Sequence, residues 1–316
     1  MFEGTPNQEK GKPKFKLMIT RHAERMPSGE LRPEGIEHSR AKGRKAKEAG
    51  VEVLKAYASD HPSRRAYDTG DLISASSYIR SPLTGEQYRT REVRGIQYDV
   101  LKPDLYYLLT EAKDLIEEAT LKELGMSTER DERGKLKIDM EKLSNEEQQR
   151  IAPVRQRNQA VGFEHVLANR EAVHRMAMGL ANQLTRRIKV LDRYAAVRKS
   201  DGNSPKGDVV PNTVSHGLFD ESLLMEAGIY VSNDGQETKG IRDFTSPEFG
   251  GYIEPAESLY LVIDDPSAVP ERIPVEFENA ARVPNGKVYI DKDKLETLAQ
   301  DYQEWERARA AEEKAK

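Results

Sequence analysis

The chain has 316 residues, no cysteine, 33% charged residues and a formal net charge of −4. The lack of cysteine excludes disulfides, thiolate metal sites and a cysteine nucleophile. No stretch approaches the roughly 18 consecutive apolar residues of a spanning helix, and 50 Lys and Arg nearly balance 54 Asp and Glu. We therefore expect a well-solvated protein that binds neither membrane nor nucleic acid. The opening segment has no apolar stretch typical of a secretory signal, so a cytoplasmic location is expected.

The first third of the chain alternates predicted strands with predicted helices. KFKLMIT (residues 14–20) predicts a strand, and a helix follows with Pro33 near its start and Gly50 at its end. VEVLKAYAS predicts a second strand, a second helix begins near Ser63, and TREVRGIQYDVL predicts a third strand. This order favours a parallel sheet covered by helices, in which ligands bind beyond the carboxyl ends of the strands.

The rest of the chain divides by composition. Residues 104–194 are rich in helix formers and predict a helical insertion, a possible lid, that ends in a core helix. The strand–helix pattern returns in TVSHGLFDESLL, and ESLYLVID and GKVYID predict further strands. We expect a three-layer α/β/α fold with a mostly parallel sheet, formed by residues 14–103 and 195–295, and a charged C-terminal helix over 296–316.

Basic residues and histidines stand at three predicted strand ends. Arg21 and His22 follow the first strand, Arg64 and Arg65 come soon after the second, and His216 follows a later one. In one parallel sheet these groups would converge on one edge. The planar fork of arginine matches phosphate oxygens, and a neutral imidazole can attack phosphorus. The pattern therefore predicts a site for a phosphoryl group.

These residues also carry a family resemblance. Arg21-His22-Ala23-Glu24 resembles the Arg-His-Gly signature of the histidine phosphatase (phosphoglycerate mutase-like) superfamily. LRPEGIEHSRAKG resembles the segment that follows it there, RAYDT at 65–69 resembles the family's second arginine motif, and Ser215-His216-Gly217 resembles its second histidine motif. The resemblance implies a phosphoglycerate mutase-like fold. It also implies that His22 forms a phosphohistidine while Arg21, Arg65 and His216 hold the phosphoryl oxygens, with no metal or cofactor.

The general acid that protonates the leaving group has no clear motif. In the family it is commonly a Glu after the arginine helix, and TREVRGIQYDVL does not match that segment. Asp99 is the first candidate and Glu92 the second, because both lie near the expected third strand exit. Asp220 and Glu221, about one helical turn after His216, are the alternatives.

Two further residues are candidate substrate contacts, Arg64 and His61, because both lie close to the predicted site. The expected substrate is a phosphorylated small molecule or a phosphoprotein. A mutase that returns the phosphoryl group to a second hydroxyl is the alternative activity, and a catalytically silent phosphate-binding or interaction protein on the same fold is the other. If residues 104–194 form a lid, deleting 105–150 should alter substrate preference more than activity on a small artificial phosphomonoester.

Overall fold

The central sheet organises the protein in a computed structural model that describes residues 14–24, 30–59, 64–82, 84–96, 98–132, 134, 136–138 and 143–315. Within these residues the sheet has nine strands in the order β3-β2-β4-β1-β7-β8-β9-β5-β6. The strands are β1 Phe15–Arg21, β2 Val53–Ser59, β3 Arg91–Val93, β4 Val209–Ser215, β5 Gly228–Ser232, β6 Glu237–Lys239, β7 Ser258–Ile263, β8 Arg272–Phe277 and β9 Gly286–Asp291. Every residue of β1 and β4 is buried, as expected of central strands that are covered on both faces.

The sheet has a parallel half and an antiparallel half. Strands β1 to β4 pair in parallel, with helices in the crossovers between them. The ladders β1–β7, β7–β8, β8–β9, β9–β5 and β5–β6 are all antiparallel. The expectation of a mostly parallel sheet therefore needs correction. Short loops without helices join β7, β8 and β9, and such loops can only connect antiparallel neighbours.

Helices cover both faces of the sheet and make the three layers expected for the α/β class. On one face, α1 and α2 pack on Met18, Leu54 and Val210. On the other face, α6, α7 and α8 pack on Leu17 and Ile19 in the largest core cluster. The helices of these layers are α1 Pro33–Glu48, α2 Arg65–Ser77, α6 Arg170–Ser200, α7 Phe219–Ala227 and α8 Lys292–Ala315.

In the part of the inserted region that the structure describes, three helices precede the one that joins the core. They are α3 Tyr107–Glu123, α4 Asn145–Arg157 and α5 Gln159–Leu167, preceded by a short 3-10 helix, Tyr98–Leu101. The following helix, α6, runs without a break past residue 194 to Ser200. Leu108 and Ala112 of α3 lie in the same core cluster as α6. A deletion of 105–150 would therefore remove core side chains, so single substitutions are the better test of the predicted lid.

None of the helices that the structure describes is long and apolar enough to cross a bilayer.

Candidate active site

Two histidines meet where β1 and β4 end. The two strands pair in parallel with Arg21 opposite Ser215, so the residues that follow them leave the sheet side by side. The backbone N–H of His22 donates to the carbonyl of Ser215 at 3.0 Å, which continues the pairing by one residue. The ring centroids of His22 and His216 lie 4.8 Å apart at an interplanar angle of 68°. Both rings are close enough to contact one tetrahedral anion between them.

The environment of His22 holds its ring neutral in a defined tautomer. Its Nδ1 lies 2.9 Å from the carbonyl oxygen of Ala23, and because a carbonyl can only accept, Nδ1 carries the proton. Nε2 then keeps its lone pair. Burial, the neighbouring His216 and the cations Arg65 and Arg21 hold the pKa of His22 well below its usual 6.5. His22 therefore has the protonation state that a nucleophile requires.

The guanidinium of Arg21 presents an open edge beside the histidines. Its Nη1 donates to the carbonyl of Ile253, and its Nη2 makes a long hydrogen bond of 3.4 Å to Oε1 of Gln159. No acceptor within the described residues reaches the buried Nε. A Cβ on Gly217 would lie 3.1 Å from both Nε and Nη2. The absence of a side chain at Gly217 leaves space along the Nε–Nη2 edge, and such an edge of a guanidinium can bind two oxygens of a phosphoryl group.

Arg65 is the second cation of the site. It is the first residue of α2, and its charge lowers the pKa of both His22 and Tyr98, so its guanidinium acts on both rings. One turn later, the Oγ1 of Thr69 accepts a hydrogen bond of 3.1 Å from the backbone N–H of Ala23. That bond ties the start of α2 to the end of β1. The first turn of α2, which begins with Arg65, is therefore held beside the residue that follows His22.

The structure describes one of the two predicted substrate contacts, Arg64, whose side chain interacts with residues of α2. The Cζ of Arg64 lies 4.3 Å from the ring centroid of Tyr67, and its Nε lies 3.8 Å from Asp68 on the outer side of α2. The side chain of Arg64 is more than half exposed, at 57%. His61 lies outside the described residues.

Of the first two candidates for the general acid, Asp99 is partly buried beside α8 and Glu92 is exposed. Asp99 lies in the 3-10 helix, with its carboxylate 3.8 Å from the guanidinium of Arg309 on α8. Glu92 is an exposed residue of β3, the outermost strand of the parallel half. The residue of the 3-10 helix that contacts the histidines is Tyr98, whose ring centroid lies 5.7 Å from that of His216.

Tyr98 stays protonated and donates a hydrogen bond. Its hydroxyl donates to the carbonyl of Gly217 at 2.5 Å. Burial raises the pKa of Tyr98 to about 12, although the charges of Arg21 and Arg65 oppose the shift. Tyr98 therefore holds the loop after β4 through this hydrogen bond and packs its ring against that of His216.

The other two candidates for the acid are buried beside the site. Asp220 accepts a hydrogen bond of 2.7 Å from the hydroxyl of Ser215, and burial with the adjacent Glu221 raises its pKa to about 8. Glu221 accepts a hydrogen bond of 2.9 Å from the backbone N–H of Ile253, and burial raises its pKa as well. Asp220 is thus a carboxylic acid that still carries its proton at neutral pH.

Sequence reasoning missed the residues that the insertion and a distant loop bring to the site. Gln159 and Phe163 lie on α5, with the ring centroid of Phe163 5.0 Å from Cζ of Arg21. Tyr252, from the loop before β7, lies 5.4 Å from Phe163, centroid to centroid. No spacing or motif signals these contacts, because they join parts of the chain that are far apart in sequence.

No family model matches the chain, and no curated protein matches it. Solved structures of similar shape include a mycobacterial glucosyl-3-phosphoglycerate phosphatase, at 14% identity and a TM-score of 0.31, covering 83% of this chain and 96% of its own. The apo form of a Hafnia alvei phytase has 9% identity and a TM-score of 0.43, covering 94% and 98%. A Klebsiella phytase has 12% identity and a TM-score of 0.35, covering 92% and 95%.

Proposed function

We propose that this protein is a phosphomonoester hydrolase in which His22 attacks phosphorus, with no metal ion taking part. The observation that carries the proposal is the pair of imidazoles 4.8 Å apart beside the open fork of Arg21. A buried guanidinium cannot lose its proton, so it favours an anionic ligand over a neutral one. A second cation, Arg65, adds to the field at the same point.

The proposed reaction has two displacements. In the first, the lone pair on Nε2 of His22 forms a bond to phosphorus while the bond to the leaving oxygen breaks. Asp220 gives its proton to that oxygen, and Arg21, Arg65 and His216 stabilise the charge on the three remaining oxygens. In the second, water attacks phosphorus, the N–P bond breaks, and the carboxylate of Asp220 takes the proton of the water. Neutral His22 and inorganic phosphate are the products.

The test measures a covalent intermediate rather than turnover alone. We expect the purified chain to hydrolyse members of a panel of phosphorylated sugars, nucleotides, amino acids and peptides without added metal. Rapid denaturation during turnover of a phosphorus-labelled substrate should trap label that is labile in acid and stable in base, as expected of a phosphohistidine. His22→Ala should lose at least about 10³-fold in kcat, because the covalent route is removed.

The matched control is His38→Ala, which removes an exposed imidazole on α1 and should leave both turnover and trapping intact. Trapped label that persists in the His22→Ala variant would contradict the assignment of the nucleophile. A phosphorylated isomer of the substrate in place of released phosphate would identify a mutase.

A further inference from the structure

We propose that Gln159, on helix α5 of the insertion, is a positioning residue that aims the fork of Arg21 at the substrate anion. The inference deepens the proposed function and rests on it, because it assigns a role at the same anion site. Gln159 is the first residue of α5 and reaches Arg21 across 138 positions of sequence. It contacts the guanidinium on Nη2, one of the two nitrogens of the open fork.

The orientation of the Gln159 amide is set by a second partner. Its Nε2 donates to Oε1 of Glu24 at 2.7 Å. A carboxylate only accepts hydrogen bonds, so the NH₂ group must face Glu24 and the carbonyl oxygen must face Arg21. The amide therefore cannot flip without losing both contacts.

Glu24 is itself held in place from the other side. Its Oε2 lies 3.4 Å from Nε of Arg32, and its backbone carbonyl accepts from the backbone N–H of Arg32 at 2.8 Å. The contacts form a chain from Arg32 through Glu24 and Gln159 to Arg21. This chain connects the start of α1, the segment after β1 and the insertion to one guanidinium.

Helix α5 also holds Arg21 from its apolar side. Phe163, one turn after Gln159, stacks its ring on the guanidinium at 5.0 Å. Gly162, beside Phe163, packs so closely on α3 that a Cβ there would lie 2.6 Å from Cδ1 of Ile116. The position of α5 is thus determined by a close helix crossing, and both of its contacts with Arg21 follow from that crossing.

The amide is the chemical group that suits this position. A neutral carbonyl 3.4 Å from Nη2 restrains the guanidinium without neutralising it. A phosphoryl oxygen makes a shorter, charge-assisted bond and can displace the amide from Nη2. A carboxylate at position 159 would instead pair with Arg21, compete with the substrate anion and repel Glu24.

The experiment measures anion binding and turnover separately in Gln159→Glu, Gln159→Ala and a control. Orthophosphate binding is followed by calorimetry, and kcat and KM are measured between pH 4 and pH 8 on the best substrate of the wild-type protein. The control is Gln156→Glu, at an exposed position on α4. It adds the same negative charge to the insertion but does not change the contacts between Glu24, Gln159 and Arg21. Melting temperatures verify that each variant is folded.

In Gln159→Glu we expect phosphate affinity and kcat/KM at pH 7 to fall at least about 10-fold, and to recover towards pH 4 as the new carboxylate gains a proton. Gln159→Ala should raise KM about 3-fold to 10-fold with no recovery at low pH, because the guanidinium loses its restraint. Gln156→Glu should match the wild type.

Unchanged phosphate affinity and an unchanged pH profile in Gln159→Glu would overturn the inference and leave the hydrolase standing. The wild-type protein could also bind phosphate without turning over any substrate. If Gln159→Glu weakened that binding, the inference would be upheld and the hydrolase overturned. A wild-type protein that neither binds phosphate nor turns over would overturn both.

Discussion

At the scale of the residue, burial moves two titrating side chains in opposite and complementary directions. His22 is held neutral because burial and nearby cations disfavour its charged form. Asp220 is held protonated because burial and Glu221 disfavour its carboxylate. The proposed nucleophile is therefore neutral, and the proposed acid is protonated, at the same neutral pH. That is the arrangement that two-step phosphoryl transfer to an imidazole requires.

The role of Asp220 predicts a dependence on the leaving group. Asp220→Asn should reduce kcat/KM on an alkyl phosphate by about 10²-fold to 10⁴-fold, because general acid catalysis contributes that much. The ratio kcat/KM reports the steps up to departure of the leaving group, so it should fall far less on a nitrophenyl phosphate, whose leaving group departs without a proton. On the alkyl substrate, wild-type kcat/KM should fall as pH rises above about 8, where Asp220 loses its proton, and the variant should lack this fall.

Steady-state rates on the two substrates measure this directly. Equal losses on both would assign Asp220 a structural role. The same comparison with Asp99→Asn would then test whether the carboxylate beside Arg309 is the acid.

At the scale of the element, the site depends on one strand pairing and one helix crossing. The register of β1 with β4 places the two histidines side by side. The crossing of α5 on α3 at Gly162 brings Gln159 and Phe163 to Arg21. The strand pairing belongs to the sheet, whereas the helix crossing belongs to the insertion. The insertion is therefore coupled to the anion site through packing.

Gly162→Ala should disturb activity through the helix crossing. The added methyl would lie 2.8 Å from the carbonyl oxygen of Ala112 and 2.6 Å from Ile116, so α5 must move away from α3. Overpacking of this kind costs about 1–3 kcal/mol of unfolding free energy. We expect kcat/KM to fall about 3-fold to 10-fold as Arg21 loses its contacts.

Val161→Ala is the matched control, because it changes an exposed side chain of the same helix. Urea unfolding and steady-state kinetics are the measurements. A Gly162→Ala protein with wild-type kcat/KM would show that the position of α5 does not matter to Arg21.

At the scale of the whole molecule, the antiparallel half of the sheet delivers the loop that anchors the site. β7 runs opposite to β1, so its start lies beside the end of β1. The loop before β7 thereby brings Ile253 to Arg21 and Glu221. A buried ion pair fixes this loop: Arg282 donates to Glu257 and to the carbonyls of Gly250, Gly251 and Tyr252.

Arg282→Met should therefore cost stability and activity together. Removing one partner leaves the Glu257 carboxylate buried without its counter-charge, which costs about 3–5 kcal/mol. We expect the urea midpoint to fall accordingly and KM to rise, since Ile253 would no longer hold Arg21. Arg272→Met, in a half-exposed ion pair on β8, is the control and should cost less than about 1 kcal/mol. If Arg282→Met proved as stable as Arg272→Met, the role of the buried ion pair would be contradicted.

The sequence by itself determined the local part of this protein. The apolar run of β1, the helix start at Pro33 and the residues Arg21, His22, Arg65 and His216 follow from pattern and chain order. Each strand delivers the residue that follows it to the sheet edge, so parallel pairing of these strands brings both histidines to one place. The α/β class followed for the same reason.

Only the tertiary structure decided the antiparallel half of the sheet, the positions of the candidate acids, and the contributions of Tyr98, Gln159 and Phe163. The raised pKa of Asp220 arises from its burial in the first turn of α7 and from the adjacent Glu221, and no spacing in the sequence encodes burial. The contact of Gln159 with Arg21 depends on how α5 crosses α3. Such contacts join distant segments, and they exist only when the whole chain packs, because desolvation and side-chain distance are properties of the packed chain.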